Sequence, residues 1–477
     1  MIPVRPDWHC SRVKEKHSWG NELIAGMKLS QLAEELDGEL KGEDLMFSSI
    51  STDTRSLIKE DLYLALVGEN FDGNSFVEEA EKKGACAAIT SRDVDAGIPT
   101  LRVADTHLAL REIARLTRLR STAKVVALTG SQGKTTVKEM LGAILGNSAD
   151  CLATEANFNN TIGVPLTLLR VEERHKYIVI EMGADCAGEI AFSVSATQPD
   201  VALITNASPA HIEGFGSLDG IVRAKGEIIE GLKKDGVLVL NGDDAHVDDW
   251  IARAGDKKKV LFSYNNTSGA AEYYAADVEF QKDGTSHFNL ITPAGKQVIR
   301  INFLGKHNVL NAVAAAAVAI ETGVSLEDVA QGLAGLNPVK GRLSKFVGIN
   351  GCVIIDDSYN ASPGSFSAAI DVLASVPGRT ILVAGDMKEL GAETDSAHAF
   401  VGEYAAKAGV TELWAVGEKS KLMVAAFKAK GRHFSSKDEL LQALISIAGS
   451  EMTVLIKGSR AARMDDIVMA LKSDGEN

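Results

Sequence analysis

Gly130, Ser131, Gln132, Gly133, Lys134, Thr135 and Thr136 follow one another in a loop whose residue types suit a polyphosphate. Two glycines let the main chain turn tightly and approach an anion. Lys134 offers a cation for the β- and γ-phosphates, and the Thr135 hydroxyl is a ligand for Mg2+. Residues 124–128 ahead of the loop are a lysine and then an apolar, partly β-branched run, and residues 137–141 after it read as the first turns of a helix. Strand, glycine loop and helix together place backbone N–H groups and the positive end of a helix dipole at the anion. The general phosphate-loop pattern has a glycine five residues before the Gly-Lys pair, where this chain has Leu128. The segment is therefore either a shortened phosphate loop or a strand–turn–helix with a chance Gly-Lys-Thr, and the flanking pattern favours the first.

Other residues of chemical interest fall at the ends of later apolar runs. Glu181 closes the run 177–181, and an ionised carboxylate at the end of a buried strand needs a cation such as Mg2+ beside it. His211 follows the run 201–206; alone it reads as a satisfied core or cap histidine, but its place after the next strand favours a metal or phosphate role. The cluster Asn157-Phe158-Asn159-Asn160-Thr161 lies between the loop and Glu181, so Asn159, Asn160 and Thr161 are either loop formers or neighbours of the γ-phosphate. Lys225, on a helical segment, is by default a solvated side chain. Nearer the N-terminus, two polar turns stand out: Ser51-Thr52-Asp53-Thr54-Arg55, and one holding Asp72, Gly73 and Asn74. Each is a capped turn on its own terms; the alternative is a nucleotide-sugar site, with hydroxyls and Asp for uracil and ribose and Arg55 for the diphosphate.

The elements that position these residues alternate. The chain has 477 residues, enough for about three domains at roughly 150 each. Hydrophobic content of 45% and charged content of 24% suit a soluble globular protein with real cores. A net charge of -14 without a basic run argues against nucleic acid or an anionic membrane as partner. Five scattered cysteines without ligand spacing point to a reducing cytoplasm. No apolar stretch approaches the ~18 residues of a membrane span. Residues 1–26 carry charges and no apolar core, so they are expected to be a flexible extension and not a signal peptide. Residues 29–36 read as a helix with Ser30 as N-cap, then strands near 47–50, 62–67 and 87–90 enclose a helix at 76–83. A helix at 105–120 leads to the loop strand. Strands at 177–181, 201–206 and 237–241 then alternate with helices, which makes a parallel sheet whose ligands gather at the carboxyl ends. Residues 260–304 read as an antiparallel β-region and 307–322 as an Ala-rich helix. After a linker at 336–341, strands at 352–355, 380–384, 413–416 and 454–456 form a doubly wound third unit.

The shortened loop resembles that of the Mur ligases, which use ATP to join amino acids to a nucleotide-linked sugar. Further motifs occur in the family's order: Ala210-His211-Ile212-Glu213-Gly214-Phe215-Gly216-Ser217, then Ala224-Lys225-Gly226-Glu227-Ile228; Gly305-Lys306-His307-Asn308-Val309-Leu310-Asn311; Gly341-Arg342; Asp356-Asp357-Ser358-Tyr359-Asn360-Ala361-Ser362-Pro363; Gly385-Asp386-Met387-Lys388-Glu389-Leu390-Gly391; and Lys457-Gly458-Ser459-Arg460. The resemblance covers nearly all of the chain from Met27 onward. It implies three α/β domains: a small UDP-muramoyl-binding domain at 27–104, a central P-loop-type ATPase domain with a mostly parallel sheet at 105–335, and a Rossmann-like doubly wound domain at 336–477. The last is expected to close over ATP and bind the incoming amine, with Tyr359 and Asn360 on its substrate loop. The same resemblance places Asn308 and Asn311 near adenine, Arg342 on the ATP phosphates and Asp357 on the ribose. It makes Lys225 a carbamate whose carboxylate holds a second Mg2+, beside the Mg2+ ligands Thr135, Glu181 and His211.

Within the family, the pairing of the 356–363 and 385–391 motifs resembles the branch that adds D-alanyl-D-alanine to UDP-N-acetylmuramoyl-tripeptide, the last cytoplasmic step of the peptidoglycan precursor peptide. The expected protein is a cytoplasmic monomer. The diaminopimelate- or lysine-adding branch carries an Asp-Asn-Pro-Arg-type motif that is absent here. Related folate-polyglutamylating enzymes lack the nucleotide-sugar domain. A silent nucleotide-binding module is at odds with the full set Lys134, Thr135, Glu181, His211 and Lys225. One departure from the family pattern is Ala207-Ser208-Pro209-Ala210 before His211, where Ile-Gly is more usual.

Overall fold

The computed structural model describes residues 19–20, 23–68, 70–209, 212–281, 284–428 and 430–472. Among these residues the central sheet has nine strands in the order Cys151–Ala153, Tyr177–Glu181, Lys124–Thr129, Val201–Ile204, Val237–Asn241, Lys258–Ser263, Tyr273–Phe280, Ser286–Thr292, Gly295–Ile301. The first seven run parallel and the last two add antiparallel, so the expected β-region extends the same sheet. Successive side chains of Lys124–Thr129 enter opposite cores. Val126 and Leu128 pack with the helices Lys134–Ser148 and Lys306–Glu321, while Val125 and Ala127 pack with Ile190, Val222 and Trp250. A strand buried on both faces must be apolar throughout, which is why the loop strand shows no alternation. The small side chains of Ala312, Ala314, Ala315, Ala316, Ala317 and Ala319 are all at most 1% exposed, so the middle of the second helix is buried on every side.

The loop strand lies between Tyr177–Glu181 and Val201–Ile204. Thr129, Glu181 and the residues after Ile204 consequently leave the sheet at one edge. That edge is the expected ligand side of a parallel sheet.

The first unit is a six-stranded mixed sheet, Trp19–Gly20, Ser49–Ser51, Asp61–Leu64, Ala87–Thr90, Thr100–Arg102, Glu39–Lys41, among the described residues. Several expectations shift here. Trp19 and Gly20 pair with Ile50 and Ser49, and Ile24 is 2% exposed, so ordered structure begins ahead of Met27; residues 1–18 and 21–22 of the expected extension lie outside the described residues. The first helix is Leu29–Glu35 with Lys28 at its N-cap. Ser30 does not cap, because its N–H and hydroxyl both donate to Asp44, each at 2.9 Å. The strand expected over 62–67 stops at Leu64, and Val67–Gly68 turns away to pair with Phe71–Asp72. Helix Thr106–Arg120, capped by the Asp105 carboxylate, joins the two units. Ala109, Leu110, Ile113 and Leu116 face the first core, and Ala114 faces the central one.

The third sheet, among the described residues, runs Ser344–Val347, Val353–Asp357, Met452–Lys457, Arg379–Gly385, Glu412–Val416, Gly431–Phe434, all parallel except the first pair. Its carboxyl edge carries Asp357, Lys457 and the loop after Gly385, which face the central domain across a cleft. The connecting residues 335–340 contain neither helix nor strand. Short strands Ser344–Val347 and Gly431–Phe434 and helix Leu326–Ala334 were not legible from periodicity.

Candidate active site

One cleft of about 540 Å³ is walled by the central domain on one side and the third domain on the other. That is within the usual range of roughly 300–1,000 Å³ for ligand sites. The phosphate loop forms its floor. Gly130 (φ +150°) passes so close to Thr205 that a Cβ would lie 1.9 Å from its Oγ1, and Gly133 (φ +79°) would likewise collide with Asn311 Oδ1 at 2.5 Å. Both glycines are therefore required by close approach as well as by turning. The N–H groups of Ser131 and Gln132 are already used: they donate to Asn206 O and Asn206 Oδ1, each at 3.0 Å. The N–H groups of residues 133–136 have no partner among the described residues and open at the start of helix Lys134–Ser148. An anion is thus met by the helix end and not by the whole loop. Lys134 Nζ donates to Gly130 O at 2.7 Å; burial lowers its pKa, and the Arg342 guanidinium pushes the same way against Glu181.

The segment that departs from the family pattern clamps the loop. Ser208 N–H donates to Ser131 Oγ, Ser131 Oγ donates to Ser208 O, both at 3.0 Å, and Gln132 Nε2 donates to Ser208 Oγ at 3.1 Å.

Glu181 is 1% exposed at the end of its strand. Its Oε1 accepts from Thr135 Oγ1 at 3.1 Å and from Asn159 Nδ2 at 2.9 Å, while Oε2 is buried with no partner among the described residues. A buried carboxylate oxygen without a donor is costly. The free Glu181 Oε2 and the Thr135 hydroxyl are oxygen ligands, a donor pair that fits a hard cation such as Mg2+. Asn160 is occupied locally, its Oδ1 accepting from Ile162 N–H and Gly163 N–H at 3.2 and 2.8 Å, and Thr161 lines the cleft beside it. Lys225 is 3% exposed, lines the same cleft, and stands 5.3 Å from the Phe215 ring centre. Burial and the Lys134 charge push its pKa down to about 7, against the pull of Asp185, Glu227 and Glu189. A solvated surface lysine is ruled out. Among the described residues no group of three His, Cys, Asp or Glu side chains forms a metal cluster. His211 lies outside the described residues.

The third domain supplies the opposite wall. Arg342 reaches over the linker and donates to Thr135 Oγ1 at 3.0 Å, its guanidinium stacked 4.3 Å from the Tyr359 ring. Asp357 pairs with Lys457 Nζ at 2.5 Å, which also donates to Asn360 O at 2.9 Å. Burial raises the Asp357 pKa while Lys457 opposes. Asn360 Oδ1 is taken by Ala361 N–H at 2.9 Å. Helix Pro363–Ala374, fixed at its start by reciprocal Ser362–Ser365 bonds, brings Gly364 against Gln132, where a Cβ would sit 2.4 Å from Nε2. Asn308 and Asn311 meet at the mouth of helix Lys306–Glu321: Asn308 Nδ2 donates to Leu304 O at 2.8 Å and Asn311 Nδ2 to Asn308 Oδ1 at 3.1 Å. Sequence reasoning missed Asp185, Glu189, Phe215 and His307 as lining residues. Asp185 was within reach, four residues past Glu181 and off the same strand end.

The first-domain residues do not line this cleft. Asp53 binds Arg55 through Nε (2.9 Å) and Nη2 (2.6 Å), Thr54 Oγ1 donates to Glu79 at 3.0 Å, and Ser51 and Thr52 belong to the same turn. Asp72 accepts from Asn74 N–H at 2.9 Å and pairs with Arg92 at the same distance. Tyr63, paired with Ser51 in the sheet, donates to Gly73 O at 3.1 Å; burial, with Asp53, Glu79 and Asp72 nearby, pushes its phenol up to about 12.

The UDP-N-acetylmuramoyl-tripeptide–D-alanyl-D-alanine ligase of Escherichia coli (strain K12) is 43% identical over 454 residues, 95% of this chain and 100% of that protein. The chain belongs to the Mur ligase family. Family models match in sequence order: the Mur ligase family, catalytic domain at 47–118, the Mur ligase middle domain at 128–319, and the Mur ligase, glutamate ligase domain at 341–460. A crystal structure of MurF from Acinetobacter baumannii superposes with a TM-score of 0.87 at 36% identity, covering 92% of this chain and 97% of that one. The MurF ligase of Thermotoga maritima in complex with ADP gives 0.81 at 26% identity, covering 88% and 96%. The three-domain α/β architecture of the Mur ligases is thus that of this chain, and Mur ligases are ATP-dependent ligases. Among the described residues no helix is long and apolar enough to cross a membrane.

Proposed function

We propose that this protein joins D-alanyl-D-alanine to UDP-N-acetylmuramoyl-tripeptide at the expense of ATP, completing the peptide of the peptidoglycan precursor. The observation that carries the chemistry is a single cleft with the phosphate loop on one wall and Arg342, Asp357 and Lys457 on the other. The donor and acceptor are those of the relatives that match along nearly the whole chain.

The tripeptide's terminal carboxylate attacks the γ-phosphoryl of ATP, forming an acyl phosphate and releasing ADP. The dipeptide amine then attacks the acyl carbon, the C–O bond to phosphate breaks, and the amine loses its proton. Charge builds on the transferred phosphoryl oxygens, and the N–H groups of residues 133–136, Lys134 and Arg342 stabilise it in place. Thr135, Glu181, His211 and Lys225 would hold Mg2+, which supplies further charge neutralisation at the phosphates. Lys225, with its pKa pulled down to about 7, has the neutral amine that adds CO2, forming an N–C bond and releasing a proton to give a carbamate. Asn308 and Asn311 take adenine and Asp357 the ribose. Ser51, Thr52, Asp53, Thr54, Arg55, Asp72, Gly73 and Asn74 take the nucleotide sugar; Asn159, Asn160, Thr161, Tyr359 and Asn360 contact the peptide portions. Closure of the third domain keeps water from the acyl phosphate. The four described cysteines are free thiols, in keeping with a cytoplasmic enzyme, and we propose that it acts as a monomer.

A substrate panel tests this reading. Each muramoyl nucleotide is offered with diaminopimelate, lysine, D-glutamate or D-alanyl-D-alanine, and ADP and product mass are scored. Product is expected with the tripeptide and D-alanyl-D-alanine; efficient addition of a single amino acid to the muramoyl dipeptide would reassign the branch.

A further inference from the structure

His398 is fully buried (0% exposed), and both its ring nitrogens are bonded. The Met387 backbone N–H reaches Nε2 at 3.0 Å, so Nε2 is an acceptor and carries no proton. Nδ1 lies 2.6 Å from Thr394 O, which only accepts, so Nδ1 carries the proton. The two partners lie on different elements: Thr394 opens the ring's own helix Thr394–Ala408, and Met387 lies in the loop after strand Arg379–Gly385. One neutral tautomer satisfies both, and burial, which lowers the ring's pKa, favours it.

That loop is anchored elsewhere too. The Asp386 carboxylate accepts from Glu418 N–H at 3.0 Å and Ser420 N–H at 2.8 Å, and the Met387 and Leu390 side chains are 1% and 2% exposed in the third-domain core. Between the anchors, Lys388 and Glu389 line the cleft. Glu389 has φ +65°, a conformation a non-glycine residue keeps only when its surroundings impose it. The loop's far end, Gly391, lies against Glu213 of the central domain, where an added Cβ would be 3.9 Å from the Glu213 Cβ. Glu213 belongs to the same short helix as Phe215, which faces Lys225. The loop thus borders the Lys225 end of the cleft.

We propose that His398 is a positioning residue for the incoming dipeptide: by accepting the Met387 N–H it fixes the backbone that presents Lys388 and Glu389 to the dipeptide's carboxylate and ammonium groups. This rests on the ligase reading above. Neither the ring nor its bonds touch a reacting atom, so its effect is on the acceptor and not on ATP.

The test uses the full-length protein with His398→Leu and His398→Gln. The leucine variant is expected to raise KM for D-alanyl-D-alanine about tenfold or more, the scale on which small misplacements act, with KM for ATP unchanged. Glutamine, whose amide oxygen can accept from Met387, is expected to recover most of the loss. In the wild type, nitrogen-15 NMR of labelled histidine should show Nε2 as the unprotonated nitrogen, a measurement that stands even if the leucine variant fails to fold. An unchanged dipeptide KM, an equal rise in all substrate KM values, no recovery with glutamine, or an Nε2–H ring overturns the positioning role. A wild type that makes no product from the dipeptide overturns the ligase reading and this role with it; a working wild type with unaffected variants overturns this role alone.

Discussion

The first-domain turns and the central cleft are both rich in polar residues, and they differ in how those residues are satisfied. In the turns the polar groups are paired within the protein: Asp53 with Arg55, Thr54 with Glu79, Asn74 with Asp72 and Ser91, Asp72 with Arg92. In the cleft, Glu181 Oε2, the Lys225 amine and the N–H groups of residues 133–136 lack hydrogen-bond partners among the described residues. An unpaired buried polar group costs about 1–3 kcal/mol. A fold keeps such groups together where a ligand completes them, so the cleft is incomplete alone while the turns are complete. Ligand binding at the turns must therefore exchange existing pairs, and its effect on turnover should be smaller.

The largest effect is expected at the loop. Lys134→Ala should lower kcat by about 10²–10³-fold or more, as loss of one charge-stabilising donor does. Its melting temperature should hold, because a cation whose pKa is lowered by burial contributes little to folding. Near-normal turnover in the folded variant would remove the loop from the mechanism. Lys225→Ala should come next, with activity partly restored by formate or acetate standing in for the carbamate. In the wild type at limiting bicarbonate, activity should rise as pH increases through about 7, because only the deprotonated amine takes up CO2. A flat profile together with an unmodified lysine by intact mass would refute the carbamate. Arg342→Ala should give an intermediate loss and a larger radius of gyration by solution scattering, since it removes the Arg342–Thr135 bridge between the walls. Unchanged scattering would assign domain contact to Gly364 and Gln132 instead. The smallest effect is expected at the turns. Asp53→Asn should alter KM for the muramoyl nucleotide with little change in kcat, and stability should barely move because exposed pairs contribute little. A kcat collapse there would erase the contrast between the two regions.

The cleft was largely legible in the sequence because its residues sit at strand ends, and strand order in a parallel sheet sends those ends to one edge. Glu181 was found this way, Lys134 from the glycine loop and Asn159 from its place between that loop and Glu181, and the structure brings the three together. Ser30 misled because its hydroxyl had a better partner in Asp44, 14 residues away, than in the helix it opens. Trp19–Gly20 was invisible because a two-residue edge strand has no period to detect. The tautomer of His398 depends on a carbonyl and an amide from two elements, a juxtaposition no local pattern encodes.

The central claim is that the cleft activates the tripeptide carboxylate by transferring a phosphoryl group to it. Tripeptide nucleotide labelled with oxygen-18 in that carboxylate tests it directly. With ATP and D-alanyl-D-alanine, the released phosphate should carry one labelled oxygen per turnover, and omission of the dipeptide should suppress steady release. Unlabelled phosphate formed at the rate of ligation would contradict the account, because the carboxylate oxygen would then never have been bonded to phosphorus.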